Sequence, residues 1–470
     1  MNKKLFSVAA LLVFALQMYG QSVGERLKTT VNSFLNDEQL KHAIVSLYVT
    51  DENGNKIYGL NEQYGLAPAS TQKIFTSIAA FSFLGKDFTY KTEIGYTGNI
   101  SNKTLTGDLI IKGYGDPTFG SWRYSKTQPD SILNFIVAAV KKSGIQKVNG
   151  NIVLDDAAFS YQPTPGGYPW EDMGNYYGSG SWAINWRENQ YDLVLKPGKN
   201  IGDTSSVIKT SPTLTVSEFN NFITTADPNS GDNSILYLPP YGNTAFGEGT
   251  IPKGVKAFTV SGAVAYAADQ FKTELDSSLK RNNIQVAGNF ITGASFEKKG
   301  SKILPAQTNI ASYTSPALDS IVYWFLQKSV NLYGECLLKT IAWQQDNDGS
   351  TDVGVAVLKK FWQQKGIDSS ALNIADGSGL SPKNRVTTYA LVNALLYAQQ
   401  QNWFPGFYNA LPVYNNMKIK SGTISAVRAF AGYYAASNGK KYVLAIIVNN
   451  YDASKGSVTP KIYKVLDALK

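Results

Sequence analysis

Histidine and cysteine are almost missing from this chain: His42 and Cys336 are the only ones in 470 residues. One of each cannot assemble the His/Cys ligand set of a zinc site, and a lone Cys forms no internal disulfide. A Ser–His–Asp triad would have to use His42. That residue sits in Leu40-Lys41-His42-Ala43-Ile44-Val45 at the mouth of a strand-like run, where a structural role fits better. Any serine chemistry here therefore needs a base other than His, and neither a metal nor a cofactor is expected. Blocks of five or six like charges are also lacking, which argues against a nucleic-acid partner.

Long apolar runs are scarce too. The most continuous is Leu5 to Leu16, preceded by Lys3 and Lys4 and followed by Gly20. About twelve apolar residues are too few to span a bilayer, and the pattern predicts a secretory signal over residues 1–20. The expectation is export across the inner membrane to the periplasm, with a retained amphipathic anchor as the alternative. Without Lys3 and Lys4 the formal charge falls from +9 to +7. Such a basic surface suits anionic wall polymers or lipid headgroups, or serves solubility alone. Membrane contact is expected to be peripheral at most. A terminal amphipathic stretch (Ile462, Val465, Leu466, Leu469) could touch a bilayer or pack on the protein.

What is present is the material of a globular, turn-rich protein: 43% hydrophobic residues, 41 Gly, 18 Pro, 28 Tyr and 22 Phe. The length predicts two or three domains. Ser22 to Asn36 has helical spacing, His42 to Thr50 alternates like a strand, and Asp51-Glu52-Asn53-Gly54-Asn55 reads as a hairpin turn into Lys56 to Leu60. A mostly buried helix is expected from Ser70 to Phe81, stopped by Gly85. From Thr89 to Leu304 the texture is of short strands and Gly/Pro/Asn turns, with one helix at Ser131 to Lys142 and a long aromatic loop at Tyr161 to Gly180. Helical texture returns after Ser312, and strand-like runs follow at Arg428 to Ala435 and Tyr442 to Asn449. The economical organisation is an α+β, multi-domain protein. One discontinuous domain comprises 21–88 and 305–470, with its sheet completed by 428–449. An inserted second domain covers 89–210 and 259–304, and a smaller third unit covers 211–258.

Three polar clusters carry chemistry. Ser70-x-x-Lys73 places an amine within reach of a hydroxyl on one helix face. A crowded, buried ammonium loses its proton readily and could then activate the serine. The same spacing recurs at Ser206/Lys209, Ser277/Lys280, Ser295/Lys298 and Ser437/Lys440, but only the Ser70 pair opens a strongly apolar helix. Ser329-x-Asn331 is the only Ser-x-Asn. Ser329 could relay a proton, and Asn331 could hold Lys73 and a substrate carbonyl; the alternative is a helix cap. Lys420-Ser421-Gly422-Thr423 reads as a strand with Lys420 and Gly422 on one face. There Gly422 would let a substrate backbone approach, and Lys420 with a hydroxyl from Ser421 or Thr423 could hold a carboxylate.

In this order the clusters resemble the motif set of penicillin-binding proteins and serine β-lactamases, with Ser421 standing where Thr is commoner. The 255 residues between Lys73 and Ser329 narrow the likeness to class C low-molecular-mass penicillin-binding proteins, which are D-alanyl-D-alanine carboxypeptidases and endopeptidases. The segments 107–117, 149–155 and Asp376-Gly377-Ser378-Gly379-Leu380-Ser381 with Asn384-Arg385 extend it. The resemblance implies an acyl-enzyme on Ser70 with Lys73 as base. It also implies an oxyanion site between the N–H groups of Ser70 and Thr423, and Ser329 linked to Lys73 and Lys420. Its expected partners are peptidoglycan peptides ending in D-Ala-D-Ala, and β-lactams. Trp170 and Asp172 would meet the stem-peptide side chain, or form a plain surface loop, while Asp376, Ser378 and Arg385 would brace the cleft. A β-lactamase-like hydrolase and a non-catalytic wall-binding protein are the competing readings.

Overall fold

The computed structural model describes residues 22–293 and 303–470, so the expected signal at 1–20 and the Ser295/Lys298 pair lie outside the described residues. At the centre is a six-stranded antiparallel sheet in the order Lys56–Leu60, Ile44–Asp51, Lys441–Asn449, Val427–Ala435, Met417–Ile424, Val413–Tyr414. The first hairpin and the last strands therefore share one sheet. Ile44 faces Asn449 and Asp51 faces Tyr442 along the junction. The hairpin turn is held by Asp51, whose Oδ1 accepts from the backbone N–H groups of Asn53 and Asn55.

Lys441–Asn449 is buried at every position from Tyr442 to Val448, so its alternation divides two cores rather than core from water. Val443, Ala445 and Ile447 face the helices Lys73–Leu84, Leu318–Gln327, Asn331–Asp346 and Thr388–Gln399. Leu444, Ile446 and Val448 face the helices Val23–Leu35 and Thr459–Leu466. Ile462, Val465, Leu466 and Leu469 are buried there, so the terminal helix packs on the protein. The first helix turns Leu27, Val31 and Phe34 inward and leaves Leu35 40% exposed; the apolar spacing of the sequence, Val23, Leu27, Val31 and Leu35, puts Leu35 on the inner stripe instead. Ser22 and Glu25 close its first turn with a reciprocal capping box.

The long middle stretch leaves and rejoins this body through paired strands, Lys91–Tyr96 against Thr308–Thr314. Both belong to a five-stranded mixed sheet with Leu109–Gly113, Ile152–Asp155 and Phe290–Thr292. Because Thr308–Thr314 pairs there, the chain returns to the helical layer only at Leu318, later than residue 305. The stretch 211–258 forms a four-stranded sheet of its own, but Ile223, Leu236 and Ile251 pack into the insert's core. A helix at Ala267–Arg281, read from the sequence as strands and turns, also packs there through Phe271, Leu275 and Leu279.

The doubly buried strand makes a testable demand. Leu444→Ala is expected to cost about 2–5 kcal/mol in denaturant unfolding, and Leu35→Ala only a small fraction of that. Equal effects would contradict the layering.

Candidate active site

The helix bearing Lys73 begins one turn later than the sequence suggested. Ala69–Gln72 is a 3₁₀ turn, and the α-helix runs Lys73–Leu84 until Gly85 takes a left-handed φ of 81°. Ala69 is also left-handed, at φ 46°, which bends the chain sharply and leaves Ser70 half-buried at the tip. Every residue from Lys73 to Phe81 is buried.

Lys73 is wholly enclosed, and its Nζ donates to Ser70 Oγ at 3.0 Å, Asn331 Oδ1 at 2.6 Å and the Ser378 carbonyl at 2.7 Å. Burial pushes its pKa down to about 7, against the opposing pull of the Asp376 and Glu335 carboxylates. Asn331 is fixed from its other end, because its Nδ2 donates to the Tyr177 carbonyl at 2.8 Å and so keeps Oδ1 on the lysine. A neutral amine has two N–H groups and one lone pair. The two carbonyl acceptors match the N–H groups, which leaves the lone pair for the Ser70 hydroxyl.

Lys420 is 1% exposed on the strand Met417–Ile424, and its Nζ donates to the Ser421 carbonyl at 2.8 Å. Desolvation, with repulsion from Lys73 and Arg428, drives its pKa well down. Gly422 lies against the nucleophile turn: a Cβ there would stand 2.6 Å from the Pro68 carbonyl oxygen and 2.9 Å from the Ser70 nitrogen. The expectation that Gly422 admits substrate is corrected, because the turn bearing Ser70 already fills that space. Ser421 and Thr423 fall on the opposite face, and Thr423 Oγ1 accepts from Arg428 Nη1.

Ser329 lies in the link between two helices at φ 56° and is not a cap, since Val330 and Asn331 open the second helix. No side-chain hydrogen bond among the described residues joins it to Lys73 or Lys420, so its expected link to both is not part of this geometry. Tyr177 takes one of the two N–H groups of the Asn331 amide, which leaves the other for a substrate carbonyl. Arg385 is exposed and donates to the Pro382 and Asn384 carbonyls, so it does not brace the cleft as expected.

Asp376 and Ser378 do brace it. Asp376 accepts from Gly379 N at 2.7 Å, Ser381 N at 2.6 Å, Gln72 Nε2 at 2.9 Å and Asn384 Nδ2 at 3.0 Å. Glu335, not singled out from the sequence, accepts from Gly377 N at 3.0 Å and from Tyr168 OH at 3.1 Å. Burial and the nearby Asp376 push the Glu335 carboxyl up to about 7. Asn331, Glu335 and Lys339 form an i, i+4 stripe on one helix, and all three reach the insert. Lys339 Nζ donates to the Gln162 carbonyl at 2.9 Å and the Ser181 carbonyl at 3.1 Å.

Trp170 and Asp172 lie on a short helix of that loop. Trp170 is 45% exposed, its ring 5.6 Å from Tyr237. Asp172 is part-buried, and burial raises its pKa while a hydrogen bond from the Tyr177 side chain lowers it. Among the described residues neither bonds directly to the Ser70 cluster. Asp172 reaches it only through Tyr177, whose carbonyl holds Asn331.

The chance Ser-x-x-Lys pairs look different. Ser277 Oγ donates to the Thr273 carbonyl and Lys280 pairs with Asp276 on an outer helix face.

The family model of the D-Ala-D-Ala carboxypeptidase 3 (S13) family matches residues 27–469. This chain belongs to that family. It is a serine-type peptidase, as the three clusters suggested. The D-alanyl-D-alanine carboxypeptidase DacB of Haemophilus influenzae is 27% identical over 96% of this chain and 94% of its own. A D-alanyl-D-alanine carboxypeptidase of an Actinomadura species is 25% identical over 90% of this chain and 81% of its own. The crystal structure of penicillin binding protein 4 from Haemophilus influenzae superposes with a TM-score of 0.80 at 23% identity, covering 93% of this chain and 98% of that one. The multi-domain α+β fold is thus that of a known penicillin-binding protein.

The lysine's environment sets a pH dependence. Acylation by a penicillin should rise as pH passes about 7, where Lys73 loses its proton, and level off above. Glu335→Gln removes a charge that favours the ammonium, so the inflection should move to lower pH. An unmoved or upward-shifted inflection in stopped-flow acylation would contradict this electrostatic picture.

Proposed function

We propose that Ser70 is the nucleophile and Lys73 its base in the hydrolysis of peptides ending in D-Ala-D-Ala on peptidoglycan stems. The observation that carries this is the 3.0 Å contact between an enclosed Lys73 amine and the Ser70 hydroxyl, with the amine's pKa lowered to about 7. Neutral Lys73 takes the Ser70 proton as Oγ attacks the carbonyl before the terminal D-Ala. The oxyanion then lies between the N–H groups of Ser70 and Thr423, a placement supported by the approach of the Gly422 strand to the Ser70 nitrogen. Lys420 directs an N–H toward the substrate carboxylate, and Ser329 relays the proton that Lys73 took on to the departing amine once substrate closes the gap. Water releases the acyl group. A β-lactam acylates Ser70 by the same attack.

Asn331 is the positioning residue for Lys73. Ser421 and Thr423 flank the carboxylate end of the substrate, and the Trp170–Asp172 segment meets the stem side chain, where Asp172 offers a carboxylate to an amine. The catalytic body is 21–88 with the chain beyond the insert, and the insert shapes the substrate path. The enzyme works in the periplasm after export. Among the described residues no helix is long and apolar enough to cross a membrane.

Labelled penicillin should mark the wild-type protein but not Ser70→Ala, and purified protein should free D-Ala from a D-Ala-D-Ala pentapeptide. Equal labelling of both proteins would refute the assignment. Lys73→Met should slow acylation roughly a hundred- to ten-thousand-fold. For the stem contact, Asp172→Ala should weaken the preference for amine-bearing stems; an unchanged preference would remove Asp172 from the site.

A further inference from the structure

A groove of about 930 Å³ opens on the catalytic body, well away from Ser70. It lies where Ala435 pairs with Lys441 and Asp51 with Tyr442. Asn449, at the other end of that strand, bonds the Ala67 backbone just ahead of the nucleophile turn. Seven residues at ~3.3 Å each put the groove roughly 23 Å from that turn.

Its lining has a distinct chemistry. Tyr434 and Tyr442 stack at 6.3 Å and 12° in its floor, and the half-buried rings of Tyr397 and Tyr408 form its wall. Asn53, Gln399 and Gln400 also line the groove. Among the described residues these three amides, and the phenols of Tyr397 and Tyr408, make no side-chain hydrogen bond. Charge is nearly balanced: Glu52 pairs with Lys441 at 3.0 Å, and the Lys365 ammonium lies 5.2 Å over the Tyr397 ring.

We propose that this groove binds the N-acetylated sugar chain of the polymer whose stem peptides the enzyme cuts. Pyranose rings offer apolar C–H faces to tyrosine rings, and their hydroxyl and acetamido groups both donate and accept, as side-chain amides do. An apolar peptide would leave those amides unpaired, and a polyanion would meet a nearly neutral wall. At this distance the sugars held belong to the strand beyond the peptide being cleaved. Holding them raises the local concentration of stems at Ser70 and favours polymer over free peptide.

This proposal rests on the peptidoglycan reading above, and its test separates the two. Titration calorimetry of the full-length protein with the tetramer of N-acetylglucosamine should show saturable binding. Binding should weaken at least tenfold in the double variant Gln399→Ala/Gln400→Ala, which removes two side chains outside the core, and in Tyr408→Ala. Release of D-Ala from a soluble pentapeptide should stay within twofold of wild type in the double variant, while release from intact sacculi falls several-fold. No binding at millimolar tetramer, binding untouched by both variants, or equal losses on soluble and polymeric substrate would each overturn the proposal. If penicillin fails to label Ser70, the catalytic reading fails; if labelling succeeds without saccharide binding, the groove proposal alone fails.

Discussion

An ammonium that is taken out of water must find compensation or give up its proton, and Lys73 is fully enclosed with no ion-pair partner in direct contact among the described residues. Its neighbours are a hydroxyl and two carbonyl oxygens, while the Asp376 and Glu335 carboxylates act from further off. Desolvation outweighs the pull of those charges, which leaves the amine close to half-protonated at neutral pH. Much of the surrounding structure maintains that balance. The apolar helix Lys73–Leu84 excludes water. The 376–379 loop is pressed against the neighbouring helix because Gly334 and Gly377 meet backbone to backbone, where a Cβ on Gly377 would stand 2.4 Å from the Gly334 oxygen.

The insert takes part in the same arrangement. One helix, Asn331–Asp346, accepts or offers a bond to it at almost every turn. Asn331 bonds Tyr177, Tyr333 OH donates to Glu188, Glu335 accepts from Tyr168, and Lys339 donates to Gln162 and Ser181. The carbonyl of Tyr177 decides which way the Asn331 amide points, and hence what Lys73 can donate to. A stretch that looked like an appendage in the sequence is therefore coupled to the amine through two hydrogen bonds.

The sequence revealed most where side-chain pattern controls structure. The hairpin alternates and the two last long strands are nearly continuous apolar runs, which was enough to read them as one sheet, and Ser70 with Lys73 stood out because their helix is so apolar. Glu335 was legible in principle, as an acid within the apolar part of a helix, four residues from Asn331. The Ala267–Arg281 helix was obscured because its apolar stripe is only Phe271, Leu275 and Leu279 among polar residues. Two features left no local signal. Tyr177 acts through its backbone carbonyl, which any residue supplies, and the crowding at Gly422 depends on which segment the strand meets. Ser329 was singled out by motif alone, and its hydroxyl waits outside the hydrogen-bonded set.

The direct test is to titrate Lys73 itself, following the ε-carbon resonance of labelled lysine in the free enzyme with Lys73→Arg for assignment. The account predicts a midpoint near about 7. A midpoint in the ordinary lysine range, about 10.4, would mean that the amine is charged when the enzyme works, and Ser70 would need another base.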